Sequence, residues 1–167
     1  MTMTRRTFLL GGTAVAVLGA VGFSLRPASV THAAEGDFEI VRTEAEWRAM
    51  LSPQEYAVLR EEATEHPFTS PLNDEKRAGT FLCRGCDLPL FDAATKYDSR
   101  TGWPSFWEPL PDALGSYVDY KIGMPRTEVH CARCGGHMGH VFEDGPPPTG
   151  LRYCINGVSL KFEPATA

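Results

Sequence analysis

The sequence lacks a basic stripe, a biased composition and an internal repeat, and each absence removes a class of function. Sixteen Lys and Arg stand against twenty-one Asp and Glu, a formal net charge of −5, so nothing supplies the cationic surface that nucleic-acid binding requires. With 43% hydrophobic and 22% charged residues the chain is neither disordered nor fibrous, and the composition is that of one ordinary globular domain. Apart from a doubled Cys-x-x-Cys there is no repeat, which excludes a solenoid or propeller.

What is present starts with a leader. Arg5 and Arg6 precede nineteen uncharged residues, Thr7 to Leu25, then Arg26 and a small-residue stretch ending Thr31-His32-Ala33-Ala34. A paired arginine, an apolar middle diluted by Gly11, Gly12, Gly19 and Gly22, and a cleavage site resemble a twin-arginine export signal over residues 1–34. The rival is a retained membrane anchor, for which about 18 residues are just long enough. Cleavage near Ala33 leaves residues 35–167 as the mature domain and removes three arginines but no acid, giving a formal charge of −8 from thirteen cations against twenty-one acids. An exported location, periplasmic or otherwise extracytoplasmic, and a monomer without nucleic-acid partner or, once cleaved, membrane attachment are the expectations. A domain this size buries roughly two-thirds of its unfolded surface, so an added staple would help.

Thr43-Glu44-Ala45-Glu46 and Ser52-Pro53-Gln54-Glu55 carry the capping-box spacing, the second with Pro at the first helical position, and predict two helix starts. In the second helix Tyr56, Leu59 and Ala63 share a face, with Arg60, Glu61 and Glu62 mainly elsewhere. From His66 onward Gly and Pro punctuate short runs rich in Phe, Tyr, Val, Trp and Leu, the texture of strands and turns. The expected strands are Gly79 to Leu82, Leu90 to Phe91, Ser116 to Ile122, Thr127 to His130, His140 to Glu143, and Leu151 to Phe162 broken near Asn156-Gly157. Asp144-Gly145-Pro146-Pro147-Pro148 is a loop. The expected fold is mainly β (α+β), antiparallel, with helices at its N-terminal edge.

The five cysteines divide four and one. Cys83-x-x-Cys86 and Cys131-x-x-Cys134 are knuckles whose two-residue gaps let both thiolates meet one ion at about 2.3 Å, and two knuckles complete a tetrahedral zinc site. Such an ion would join segments 44 residues apart and contribute folding energy. Disulfides remain the rival in an exported chain, and a redox pair is a third reading that the strand texture disfavours. Export after folding would let zinc load in the reducing cytoplasm.

Cys154 lies in Leu151-Arg152-Tyr153-Cys154-Ile155-Asn156 without a nearby thiol. It is either a buried inert sulfur or a nucleophile, and Arg152 at period-2 spacing, joined by Asn156 if the strand continues, favours thiolate. His137 and His140 could be ligands, acid–base groups or structural, and four cysteines leave a metal no need of them. Trp103, between Gly102 and Pro104, is either core or an indole presented by a rigid loop.

Together the ordered segments Cys83-x-x-Cys86, Thr101-Gly-Trp-Pro-Ser-Phe106, Cys131-x-x-Cys134, His137-Met-Gly-His-Val-Phe142 and Asp144-Gly-Pro-Pro-Pro-Thr-Gly-Leu-Arg-Tyr-Cys-Ile-Asn156 resemble the methionine-R-sulfoxide reductase (B-type) family over roughly residues 45 to 163. The resemblance implies two small antiparallel sheets of the β-tent kind, clamped by structural zinc away from the active site. It implies that Cys154 attacks the sulfoxide sulfur of protein or peptide methionine sulfoxide and becomes a sulfenic acid while a histidine network protonates the oxygen. His137 and His140 would supply the proton, Trp103 with Phe106 or Phe142 the apolar wall for the substrate methyl, and Arg152 and Asn156 the tuning of Cys154. One departure stands out: many members carry a recycling cysteine immediately before Gly-Trp-Pro, and here that residue is Thr101. With four cysteines on zinc, regeneration then falls to an external or thioredoxin-like thiol. The competing function is a non-enzymatic zinc-binding β-tent module, since fold alone does not fix activity.

Overall fold

The computed structural model describes residues 36–166, so the expected export signal lies outside the described residues. Both capping boxes form. Helix α1 (Glu44–Met50) is capped by Thr43, whose hydroxyl accepts from the Glu46 N–H while its own N–H donates to the Glu46 carboxylate; α2 (Pro53–Glu61) is capped reciprocally by Ser52 and Glu55. Each box satisfies two backbone donors that a helix start leaves open. Glu62, in the left-handed conformation at φ 54°, ends α2. Tyr56, Val58 and Leu59 turn inward as the amphipathic pattern requires, but so does Arg60, 6% exposed. Its guanidinium donates to the Cys134 carbonyl at 3.0 Å and lies 4.7 Å over the Trp47 ring, so its charge is received by a carbonyl and a π face.

Among the described residues nine strands follow: β1 (Gly79–Cys83), β2 (Pro89–Asp92), β3 (Lys96–Tyr97), β4 (Ser105–Phe106), β5 (Leu114–Asp119), β6 (Arg126–Cys131), β7 (His137–Phe142), β8 (Arg152–Ile155) and β9 (Leu160–Pro164). They build a three-stranded sheet, β2-β1-β9, and a six-stranded sheet, β3-β4-β8-β7-β6-β5, every pairing antiparallel. The two-sheet antiparallel fold with N-terminal helices is therefore the one observed. The expected break at Asn156-Gly157 is a short 3-10 turn, Gly157–Ser159, that carries the chain from one sheet to the other. Strand β5 stops at Asp119 instead of reaching Ile122, because the Asp119 carboxylate accepts the Lys121 N–H and the Gly123 N–H bonds the Tyr120 carbonyl, which turns the chain.

Between the layers Phe91 stacks on Phe106 with ring centroids 4.1 Å apart, and Phe81 meets Phe106 edge-on at 5.0 Å. Trp47, Leu59, Leu90, Met138, Ile155 and Leu160 complete the core. Each such side chain contributes roughly 1.5–3 kcal/mol on burial. This anchors β4 and β8, the strands that pair Ser105 with Cys154.

Candidate active site and metal centre

Of the four knuckle cysteines, two sit at strand ends and two in the turns that follow. Cys83 closes β1 and Cys131 closes β6. In each knuckle the first cysteine's N–H bonds a carbonyl five residues on (Leu88 at 2.8 Å, Gly136 at 2.9 Å), and its own carbonyl accepts an N–H four residues on, from Asp87 or Gly135. Those fourth residues are left-handed, φ 59° and 65°, so the two loops are built alike. At Gly135 a Cβ would stand 2.5 Å from the Phe38 ring, so a side chain there would collide with it. The result gathers all four Sγ atoms within 4.8 Å of one another, with Cys83–Cys134 at 3.7 Å and Cys86–Cys131 at 3.5 Å, and no disulfide among them. Zn–S bonds of about 2.3 Å in a tetrahedron put sulfurs about 3.8 Å apart, so the cluster fits that ion. Because β1 and β6 belong to different sheets, an ion held there would tie the sheets together.

Cys154 is placed differently, in the middle of the six-stranded sheet. Register pairs it with Ser105 of β4 on one side and with His140 of β7 on the other; His140 in turn pairs with Glu128 of β6, and Glu128 with Tyr117 of β5. Directly opposite residues share a face with Cβ atoms about 4.5–5.5 Å apart, so one row of the sheet presents the sulfur beside an imidazole. Gly139 makes this approach possible, since a Cβ there would stand 2.0 Å from the Cys154 carbonyl oxygen. The row opens into a cavity of about 120 Å³ whose lining includes Trp103, Arg126, His140, Phe142, Cys154 and Asn156. At roughly 30 Å³ per water it holds about four waters, the volume of a short polar side-chain tip. A larger hollow of about 570 Å³ lies against Trp107, Leu110 and Tyr153, but no cysteine or histidine lines it.

The polar side chains around the cavity are held in part by one another. The His140 Nε2 meets the Asp119 carboxylate at 2.5 Å, and Asp119 also accepts from Arg126 at 2.7 Å. Burial lowers the pKa of His140 against the opposing pull of Asp119, so its ring is neutral at pH 7. Burial works to raise Asp119, yet the bonds from His140 and the Lys121 N–H, with the Arg126 charge, hold it down at about 2. With Nε2 engaged, Nδ1 is the nitrogen open to proton exchange. Burial pushes the Cys154 thiol up, while Thr101 and Arg152 act to lower it. Burial outweighs the pull of Arg152 that the sequence points to, so the pKa of the thiol lies above its ordinary value; Arg152 is itself shared with a bidentate partner, Asp144 (2.8 and 2.9 Å), and stacks 4.4 Å from the Phe142 ring. Trp103 is fixed by its indole N–H, which donates 2.9 Å to the Glu65 carbonyl.

Three expected roles change. Phe106 is not a substrate wall: alternation in β4 sends Ser105 toward Cys154 and Phe106 into the core, 0% exposed against Phe91. His137 does not line the cavity; it is 2% exposed behind His140, rings 5.6 Å apart, with Nδ1 at 2.6 Å from Glu128. Asn156 does not bond the sulfur, because its amide accepts the Glu65 N–H at 2.9 Å and donates to the Met138 carbonyl at 3.1 Å. Residues that sequence reasoning passed over are Glu65, Asp119, Arg126 and Glu128. Glu128 is 1% exposed and bridges His130 and His137. A single acid inside Thr127-Glu128-Val129-His130 was the available signal, since a charge within a strand needs a partner.

Comparison with known proteins agrees with this geometry. The SelR domain family matches residues 51–164. Similar proteins include one from Pseudomonas putida, 60% identical over 127 residues that span 75% of this chain and 96% of the relative. Another, from Agrobacterium fabrum, is 53% identical over 127 residues, covering 75% and 94% of the two chains. A third, from Leifsonia xyli, is 49% identical over 134 residues, covering 79% and 96%. Each of the three bears the name peptide methionine sulfoxide reductase MsrB.

Proposed function

This chain belongs to the SelR domain family, and from that premise we propose that it is a peptide-methionine (R)-S-oxide reductase whose nucleophile is Cys154. The observation that carries the reading is the register that sets Cys154 opposite His140 in a small cavity bounded by Trp103 and Phe142. Methionine sulfoxide enters with its methyl group on the aromatic side chains and its oxygen toward His140, the polar side of the pocket. His140 Nδ1 takes the thiol proton and passes it to the sulfoxide oxygen, while Asp119 holds the ring and stabilises the imidazolium formed in between. The Cys154 sulfur bonds to the sulfoxide sulfur as its oxygen is protonated; the resulting hydroxyl then passes to the Cys154 sulfur while the substrate S–O bond and the transient S–S bond both break, so methionine leaves with the bonding pair and Cys154 becomes a sulfenic acid. Sulfur of the substrate is reduced and sulfur of the enzyme oxidised. Two equivalents of external thiol, such as a thioredoxin-like dithiol, then return Cys154 to the thiol, release water and leave as disulfide.

Zinc, when bound by Cys83, Cys86, Cys131 and Cys134, supplies a structural cross-link, its four positions filled by protein. Export by the twin-arginine route would place the enzyme outside the cytoplasm, repairing oxidised methionine in envelope or exported proteins.

The test is an assay on separated R and S sulfoxide epimers with wild type and Cys154→Ser. Wild type reduces the R form only, and the variant reduces neither while keeping its metal. One turnover without reductant should add a single oxygen to Cys154 by intact mass spectrometry. Reduction by Cys154→Ser, or an internal disulfide after one turnover, would overturn the reading.

A further inference from the structure

Beside Cys154 runs a line of hydroxyls that the proposed chemistry does not use. The Thr101 hydroxyl is 3.8 Å from the Cys154 sulfur; Ser99 is 2.8 Å from Thr101; Ser105 is 2.7 Å from Ser99 and donates 3.2 Å to the Trp103 carbonyl. Ser105 is fully buried and directly opposite Cys154 in the sheet.

The hydrogen count fixes the direction of the line. Each hydroxyl has one hydrogen, and the carbonyl of Trp103 can only accept. With Cys154 a thiol, all four bonds form in a single way: Ser105 donates to the carbonyl, Ser99 to Ser105, Thr101 to Ser99, and the S–H to Thr101. With Cys154 a thiolate one hydrogen is gone and the sulfur can only accept. Thr101 then donates to sulfur, Ser99 to Thr101 and Ser105 to Ser99. The bond given up is the one to the Trp103 carbonyl, at 3.2 Å the longest of the oxygen–oxygen contacts. The line thus has two orderly states, one for each form of the sulfur.

We propose that Thr101, Ser99 and Ser105 are positioning residues forming a hydroxyl relay that reverses direction when Cys154 ionises, so that the reactive thiolate always receives a hydrogen bond. Thr101 holds the place next to the sulfur in this relay. The inference rests on Cys154 being the reactive sulfur. The charged and titratable groups around that sulfur are His140 from β7, Arg126 from β6, Arg152 from β8 with Asp144 behind it, and Tyr97 from β3. None is altered by changing the relay.

The experiment is the pH dependence of iodoacetamide alkylation at Cys154 in the intact, metal-containing protein, read by peptide mass spectrometry. Thr101→Val should cut the thiolate fraction at neutral pH about tenfold, one pKa unit, and Thr101→Ser should restore it. Ser99→Ala, which leaves Thr101 in place but removes its donor, should cut it about threefold, with Ser99→Thr restoring it. The double variant Ser99→Ala with Thr101→Val should match Thr101→Val alone, since the line is already severed at the sulfur. A Ser99→Ala curve superimposable on wild type, or Thr101→Val without effect, overturns the relay. That failure is distinct from failure of the proposed function, because alkylation needs no sulfoxide, whereas retained sulfoxide reduction by Cys154→Ser would count against the function alone.

Discussion

The five cysteines occupy two regions that differ in what surrounds the sulfur. The tetrad lies where two strands end in like-built turns that bring four sulfurs toward one another, and none of the four lines the cavity. Cys154 lies in mid-strand, where the sheet sets Ser105 on one side of it and His140 on the other, and the Thr101 hydroxyl approaches from a loop. Thiols that face only thiols make a metal site, because soft ligands at tetrahedral spacing are what zinc takes. A thiol that faces a base and a hydroxyl can lose its proton to a neighbour and attack. Backbone register therefore decides which chemistry each cysteine performs.

The comparison is broken most severely from the tetrad side. Cys131→Ser should remove the cross-link between sheets and with it much of the folding energy, several kcal/mol on the scale of roughly 10–16 kcal/mol for structural zinc sites. Metal analysis and thermal unfolding check this; a variant that keeps its metal and melts like wild type would make the tetrad incidental. Next comes Cys154→Ser, which should lose sulfoxide reduction by about 10³-fold or more while its metal content and melting curve stay those of wild type. If instead it unfolds, the division between structural and reactive cysteines fails. His140→Gln should lower kcat about 10²- to 10⁴-fold with little change in stability, and Asp119→Asn about 10-fold or more, because the ring would lose its anchor but keep its place in the sheet.

Legibility followed the range of the interactions. The capping boxes at Thr43 and Ser52 and the Cys-x-x-Cys knuckles are local patterns, and each formed as the spacing predicts. Strands β3 and β4 leave no sequence signal because two residues carry no periodicity, and the inward direction of Phe106 becomes visible only once Ser105 is paired with Cys154. His137 and His140, three apart, read as an equivalent pair. The irregular register between Val129 and His130 brings His137 onto the same face as His140, where Glu128 takes one ring and Asp119 the other. Long-range partners such as Glu65, which ties Trp103 and Asn156 through its own backbone, leave no trace in sequence spacing.

The smallest effect separates the cation beside Cys154 from the hydroxyl. Arg152 lowers the pKa of the thiol by its charge, but Asp144 neutralises it at 2.8 Å and the Phe142 ring holds it 4.4 Å away on a fixed plane. Arg152→Met keeps much of the apolar stem and removes the charge. The thiol pKa should then rise further above its ordinary value, since the anion loses an attractive neighbour while burial stays the same. Below that pKa the thiolate fraction, and with it the alkylation rate at Cys154, should fall about two- to fivefold, the range of a partly compensated surface-proximal charge. As pH climbs through the thiol pKa the difference should shrink to nothing, because both proteins are then fully ionised. A rate loss that persists unchanged at high pH would mean that Arg152 positions the strand and does not act on the sulfur through its charge.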